Sequence, residues 1–176
     1  MPTSASATIP TGHRITTPTG QCTVTRPASD SDLDAVNALH SRCSMESCFS
    51  RYQAPRRSLS LSDWHSLVGS GRGLSWVTHP ADTPHLLVAA THLMRTDQDH
   101  LGELGILIED AWQNRGLGTE LSRYAVAQAS TLDVRGITVI TGRNNRRMLT
   151  ICKKLDAHTP QSAGATINLT LPVDRS

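Results

Sequence analysis

A strand that runs into a glycine-bearing turn, which in turn opens a helix, constrains this chain more than any other feature. Leu101 to Ile108 reads as the strand, with Leu104, Ile106 and Ile108 at its two-residue period. Gln113-Asn114-Arg115-Gly116-Leu117-Gly118 follows, and Leu117, Leu121, Ala125 and Gln128 then recur at helical spacing. Glycines in such a turn let backbone N–H groups point into a shared concavity without Cβ clashes. The helix N-terminus aims partial positive charge at the same spot. An anion, most naturally a pyrophosphate, is the expected occupant, and a bulky side chain at 116 is expected to fill the phosphate's space. The turn is not a Walker A loop, because no Gly-Lys-Ser/Thr follows, and it lacks the full Gly-x-Gly-x-x-Gly fingerprint. Taken alone, the same pattern also serves as structural punctuation, so the rest of the chain has to weigh in.

The flanking sequence places that turn inside one mixed domain. A chain of 176 residues fits a single core. Residues 1–20, rich in Thr, Pro, Ser and Gly, are expected to form a flexible tail, with one folded domain over 21–176. Cys22 to Thr25 reads as a strand, followed by a helix carrying Leu33, Val36, His40 and Cys43. A second short helix spans Ser44 to Tyr52, and a third, capped at Ser62-Asp63, contains Trp64 and Leu67. Strands are expected at 74–79 and 85–95, a β-branched central strand at Ile137 to Thr141, a helix lined by Met148, Cys152 and Leu155, and a last strand through Ile167, Leu169 and Leu171. The order β-α-α-β-β-β-α-β-α-β is that of an α/β (α+β) domain.

Composition removes several functions. A net charge of +2 and six scattered aromatic side chains (3% of residues) give neither the electrostatic footprint nor the stacking platform of a nucleic-acid binder. No apolar run is long enough to span a membrane and no signal peptide opens the chain, so a cytoplasmic protein is expected. Cys22, Cys43, Cys48 and Cys152 show no CxxC spacing, the histidines form no HExxH, and no metal site is expected.

The segment from Glu103 through Thr119 resembles the acetyl-CoA-binding motif of the GNAT superfamily of N-acetyltransferases, (Gln/Arg)-x-x-Gly-x-(Gly/Ala), matched at Gln113, Gly116 and Gly118. Asn145-Arg-Arg-Met148 and the helix after it are similar to the family's asparagine-bearing helix. The opening Val24-Thr-Arg-Pro-Ala-Ser-Asp resembles its first strand and helix. The resemblance covers about residues 22–172. It implies the GNAT fold: a mixed central sheet with splayed parallel strands and helices on both faces. It also implies acetyl-CoA as donor, held by the backbone of Gln113, Asn114, Arg115, Gly116, Leu117, Gly118 and Thr119. The strand at Ile106, Leu107 and Ile108 would run beside the pantetheine, with Asn145 and Met148 on its far side and Arg115, Arg143, Arg146 and Arg147 as candidates for the 3′-phosphate.

Acetyl transfer to an amine needs a neutral nitrogen, and an alkyl ammonium with a pKa near ~10.4 must first lose a proton. Glu103 stands where the resemblance places a catalytic base, while Glu109 and Asp110 are expected to face solvent. Many members use a tyrosine as general acid seven residues after the asparagine. Here that position is Cys152, so the thiolate leaves unaided or is protonated by water or by Cys152. The family's Gly-Phe is replaced by Asp156-Ala157, and His158 to Gly164 leaves little room for a penultimate strand.

For the acceptor, Arg42, Ser44, Ser47, Arg51 and Tyr52 match an Arg-x-Ser-x-x-Ser-x-x-x-Arg-(Phe/Tyr) signature. It is similar to the one in the GNAT domains of bacterial protein lysine acetyltransferases. That likeness implies a protein lysine as acceptor. A small amine, such as an antibiotic or a biosynthetic intermediate, is the alternative. A non-catalytic acyl-CoA-binding module and a GNAT enzyme with another acyl donor are further ones. The superfamily also offers the homodimer as an expected assembly.

Overall fold

The computed structural model describes residues 12–159 and 164–173. One sheet of seven strands runs in chain order: β1 (His13–Thr16), β2 (Cys22–Pro27), β3 (Gly73–Pro80), β4 (Ala89–Arg95), β5 (Leu101–Ile108), β6 (Gly136–Gly142) and β7 (Thr166–Pro172). Every neighbouring pair is antiparallel except β5 with β6. Parallel neighbours need a crossover, and α4 (Leu117–Gln128) supplies it. Helices α1 (Leu33–Arg42), α2 (Met45–Tyr52) and α3 (Leu61–Val68) connect β2 to β3, and α5 (Arg146–Lys154) follows β6.

Strand alternation sorts the core into two faces. Trp76, Leu93, Leu104 and Ile106 pack with Leu117, Leu121 and Ala125 of α4 and with Cys152 of α5. The alternate residues Val77, Ala90 and Leu107 turn the other way. There they meet Val36 and Trp64 in one cluster and Leu39, Cys43 and Cys48 in another. The expected mixed sheet with helices on both faces is the fold observed.

Local chemistry sets the element ends. Asp32 takes a two-pronged pair from Arg26, at 2.9 and 2.7 Å, and accepts the Ser29 N–H, locking the entry to α1. Ser44 caps α2 through the Ser47 N–H. Ser60 caps α3 with Asp63 returning the bond, so that helix begins earlier than the Ser62 expected.

Two expectations need correction. Folded chain starts before Cys22: His13–Thr16 pairs in register with Cys22–Thr25, and Ile15 is buried in the core. Lone strand propensity is weak in His-Arg-Ile-Thr; the partner strand supplies the bonds and the burial. Residues 1–11 of the expected tail lie outside the described residues. The strand expected at 85–95 starts at Ala89, because residues up to Leu86 complete a turn after Pro80. Between α5 and β7, the described residues contribute one isolated bridge, His158 to Thr170, in place of a penultimate strand.

Candidate functional site

Pairing between β5 and β6 stops early. Only Leu101, Gly102 and Glu103 find partners, at Gly136, Ile137 and Thr138. β5 continues to Ile108 and β6 to Gly142 without pairing, so the two strands part beyond Glu103. The gap opens into a cleft of about 480 Å³. Ile106, Leu107 and Ile108 form one wall, and Gln113, Asn114, Gly116, Gly118 and Thr119 form the end. The strand offers unpaired backbone N–H and C=O groups there, which an extended amide-bearing ligand can bond as a further strand would.

The turn at the cleft's end is built as the glycine pattern requires. Asn114 and Gly116 both adopt left-handed backbone, at φ 58° and 88°. α4 then starts, and its first N–H groups have no partner within the helix. The steric reason for Gly116 differs from the one expected. A Cβ there would lie 2.6 Å from Pro18 Cδ, in the turn between β1 and β2, and not in the phosphate's space. At Gly118 a Cβ would meet Ile151 at 2.9 Å and Ile108 at 3.3 Å, so this glycine lets α4 approach β5 and α5.

Residues expected at the acceptor turn out to fasten this turn. Arg42 pairs with Glu109 at 2.9 Å and donates to the Leu87 carbonyl. The Ser44 N–H donates to Asp110 at 3.1 Å. Gln113 Nε2 donates to Ser47 Oγ at 2.9 Å and to the Ile108 carbonyl at 2.8 Å. Glu109 and Asp110 therefore face the α1–α2 junction and not simply solvent. Burial pushes the Asp110 carboxyl up, yet hydrogen bonds from Ser44 and Ser47 and the charge of Arg147 hold it below its ordinary value.

The opposite wall comes from α5. Asn145 lines the cleft, but its amide is committed: Oδ1 accepts the Met148 N–H and Nδ2 donates to Thr141 Oγ1. Met148 lines the cleft beside Arg146, Arg147 and Lys154. Arg147 reaches across, donating to Gln113 Oε1 and lying 3.5 Å from Glu46 of α2. Arg115 is exposed and outside the cleft lining, Leu117 is wholly buried in the core, and Arg143 donates to the Gly164 carbonyl. Thr150, Ile151 and Lys154 went unnoticed in the sequence. Helical spacing from Arg147 places them on one face, and that was the signal available.

A second cleft of about 260 Å³ adjoins the first, and Ser50, Arg51, Ile106 and Met148 belong to both. Glu103, Gly105, Tyr52, Gln53 and Thr141 complete its polar lining. Glu103 is exposed. Arg51 lies 4.8 Å above the Tyr52 ring, and a Cβ at Gly105 would run into its guanidinium. Tyr52 donates to His40 Nε2 at 2.7 Å, because His40 Nδ1–H is spent on the Val36 carbonyl at 2.7 Å. Burial pushes the Tyr52 phenol up and the His40 imidazole down. Cys152 is 1% exposed and lines neither cleft, and burial pushes its thiol up to about 11, so it acts as a packing residue.

Comparison with known proteins agrees with the fold. The family model described as an acetyltransferase (GNAT) domain matches residues 24–158. No curated protein matches the chain. Among solved structures, the GNAT domain of S. lividans PAT superposes with a TM-score of 0.82 at 18% identity, over 92% of this chain and 96% of that one. The yncA protein from Salmonella typhimurium, solved with its cofactor acetyl-CoA, gives 0.69 at 12% identity, over 88% and 95%. The ribosomal-protein-S5-alanine acetyltransferase from Vibrio fischeri gives 0.69 at 13% identity, over 86% and 93%.

Proposed function

This chain belongs to the GNAT acetyltransferase family, and on that premise we propose that it moves the acetyl group of acetyl-CoA onto a primary amine held in the second cleft, beside Glu103. The observation that carries the reading is the junction of the two clefts at the point where β5 and β6 part. A donor lying in the larger cleft and an amine in the smaller one meet at Ile106 and Met148.

Acetyl-CoA suits the larger cleft on the chain's own features. The left-handed turn and the α4 N-terminus suit a pyrophosphate, Arg146, Arg147 and Lys154 add positive charge, and unpaired β5 backbone suits the amides of pantetheine. Bound there, it supplies an acetyl group activated as a thioester. The backbone near Ile106 and Leu107 polarises the carbonyl. Glu103 accepts the amine's proton, directly or through one water, because only the neutral amine is nucleophilic. The C–N bond forms as the C–S bond breaks, and the thiolate leaves without a side-chain acid, its pKa being near ~8.5 like that of a free thiol.

A protein lysine is the acceptor this reading puts first. Glu103 is exposed, and the large apolar residues at the surface include Ile140 in the second cleft and Met45 and Phe49 on α2. A docking protein would cover them. The cleft's modest volume favours a small amine as the second reading. The unpaired cysteines fit a reducing, cytoplasmic setting, and no helix among the described residues is long and apolar enough to cross a membrane.

The test is acetyl-CoA turnover against lysine-bearing proteins and small amines, for the wild type and Glu103→Gln. Loss of about 10²-fold or more in kcat at neutral pH is expected for the variant. A wild-type rate for Glu103→Gln from pH 6 to 9 removes the base, and acetyl-CoA binding with no acceptor acetylated removes the reading.

A further inference from the structure

The second cleft holds two opposite charges, Arg51 and Glu103, that feel each other's field but form no direct ion pair. The Arg51 guanidinium makes no hydrogen bond or ion pair with any described residue, and its Nε is buried without a partner. Glu103 likewise pairs with no described side chain. Both act on the same face of β5: Glu103 and Gly105 are two residues apart and point the same way, and Arg51 lies against Gly105. Two strand residues span about 7 Å, which sets the separation between the carboxylate's root and the guanidinium's seat. The other groups close to Arg51 cannot balance it. Tyr52 and the buried His40 are neutral, and Arg56 stands 5.7 Å from the same Tyr52 ring and adds positive charge. Buried charges in proteins are paired or take a ligand, because an isolated one is costly. A cation and an anion on one face of a strand, with no direct ion pair between them, form the complement of a molecule with an amine and an anion at that spacing.

We propose that Arg51 is the specificity residue of the acceptor cleft and that the acceptor carries a carboxylate within about one residue's reach of the amine that Glu103 deprotonates. The inference rests on the acetyl-transfer reading and names its substrate class. The carboxylate comes from an acidic residue beside a protein lysine or from the α-carboxyl group of a free amino acid. Arg51 holds it while Glu103 takes the proton from the amine. Gly105 is required because any side chain there evicts the guanidinium.

The test pairs acceptors that differ in the carboxylate alone: lysine peptides with Asp or Asn beside the lysine, and free lysine against cadaverine. Turnover is followed by CoA release, and binding of the peptides by fluorescence anisotropy without acetyl-CoA. The wild type should favour the carboxylate member of at least one pair by about 30-fold, the scale for a desolvated charge pair. Arg51→Gln should erase that preference, read as the ratio of kcat/KM between the two members of each pair. Gly105→Ala, which keeps the charge but moves it, should erase it as well. A preference within the peptide pair identifies the acidic neighbour, and one within the amino-acid pair identifies the α-carboxylate. Equal turnover of both members of both pairs overturns the proposal and leaves acetyl transfer standing. A binding preference erased by Arg51→Gln, with nothing acetylated, keeps the proposal and removes acetyl transfer. No preference in binding or turnover overturns it.

Discussion

His92 shows how far a single side chain is shaped by its surroundings. It is 2% exposed, hydrogen bonds Ser75 Oγ at 2.8 Å and meets the Trp64 ring edge-on. Burial, reinforced by the charge of Arg51, pushes its pKa from 6.5 to about 3. The unfolded chain therefore takes up a proton that the folded chain refuses. His92 costs no stability above about pH 6.5, and stability falls as the pH drops from there toward 3, by about 1.4 kcal/mol per pH unit for one such group. His40, also shifted down by burial, acts in the same direction. Thermal unfolding should show Tm falling between pH 7 and pH 5, and His92→Gln should flatten that slope. Among residues, the glycines of the turn were legible in the sequence from their spacing, whereas Glu103 is a candidate base through the family resemblance. Arg51 was legible as an arginine of a helix but not as an unpaired one, since its neighbours Gly105 and Glu103 lie some fifty positions away in the chain.

At the scale of elements, α2 is a brace between the 113–118 turn and the second cleft. Its N-terminal end holds Asp110 and Gln113 through Ser44 and Ser47, and its C-terminal end presents Arg51 and Tyr52 to the second cleft. Replacing Ser44 with Ala removes the cap on Ser47 N–H and should cost about 1 kcal/mol of stability. Ser47→Ala, which removes the hydroxyl that accepts from Gln113 Nε2, should raise the Kd for CoA several-fold by calorimetry, because the turn loses part of its brace. The β1–β2 turn steadies the other side. Gly116→Ala combines a left-handed backbone, worth about 1–2 kcal/mol to a residue with a Cβ, with a collision against Pro18. Its Tm should fall, and adding Pro18→Gly should restore the steric part and leave the backbone part. A Gly116→Ala protein as stable as the wild type would contradict both causes.

At the scale of the whole molecule, the described residues form a seven-stranded sheet whose one parallel joint has been allowed to open. Its left edge is β1, short and weak in sequence, yet Ile15 is 4% exposed and packed in the main core. Ile15→Ala should therefore destabilise the protein by about 2–4 kcal/mol in chemical denaturation, whereas a flexible segment would give no change. Helices on both faces of the sheet were implied by the family resemblance, while the strands from β2 onward and the α4 turn were determined by the sequence itself. Each depends on periods of two or 3.6 residues and on caps that act over three or four positions. The parting of β5 from β6 was implied by the family resemblance, but the docking of Arg42 on Glu109, the seat of Arg51 on Gly105 and the pairing of β1 were decided only in the tertiary structure. These contacts join segments far apart in the chain, and packing selects among many chemically suitable partners for each arginine and each strand edge. Local pattern states what a residue is able to do, while the choice of partner is settled by which faces the fold brings within a few ångströms.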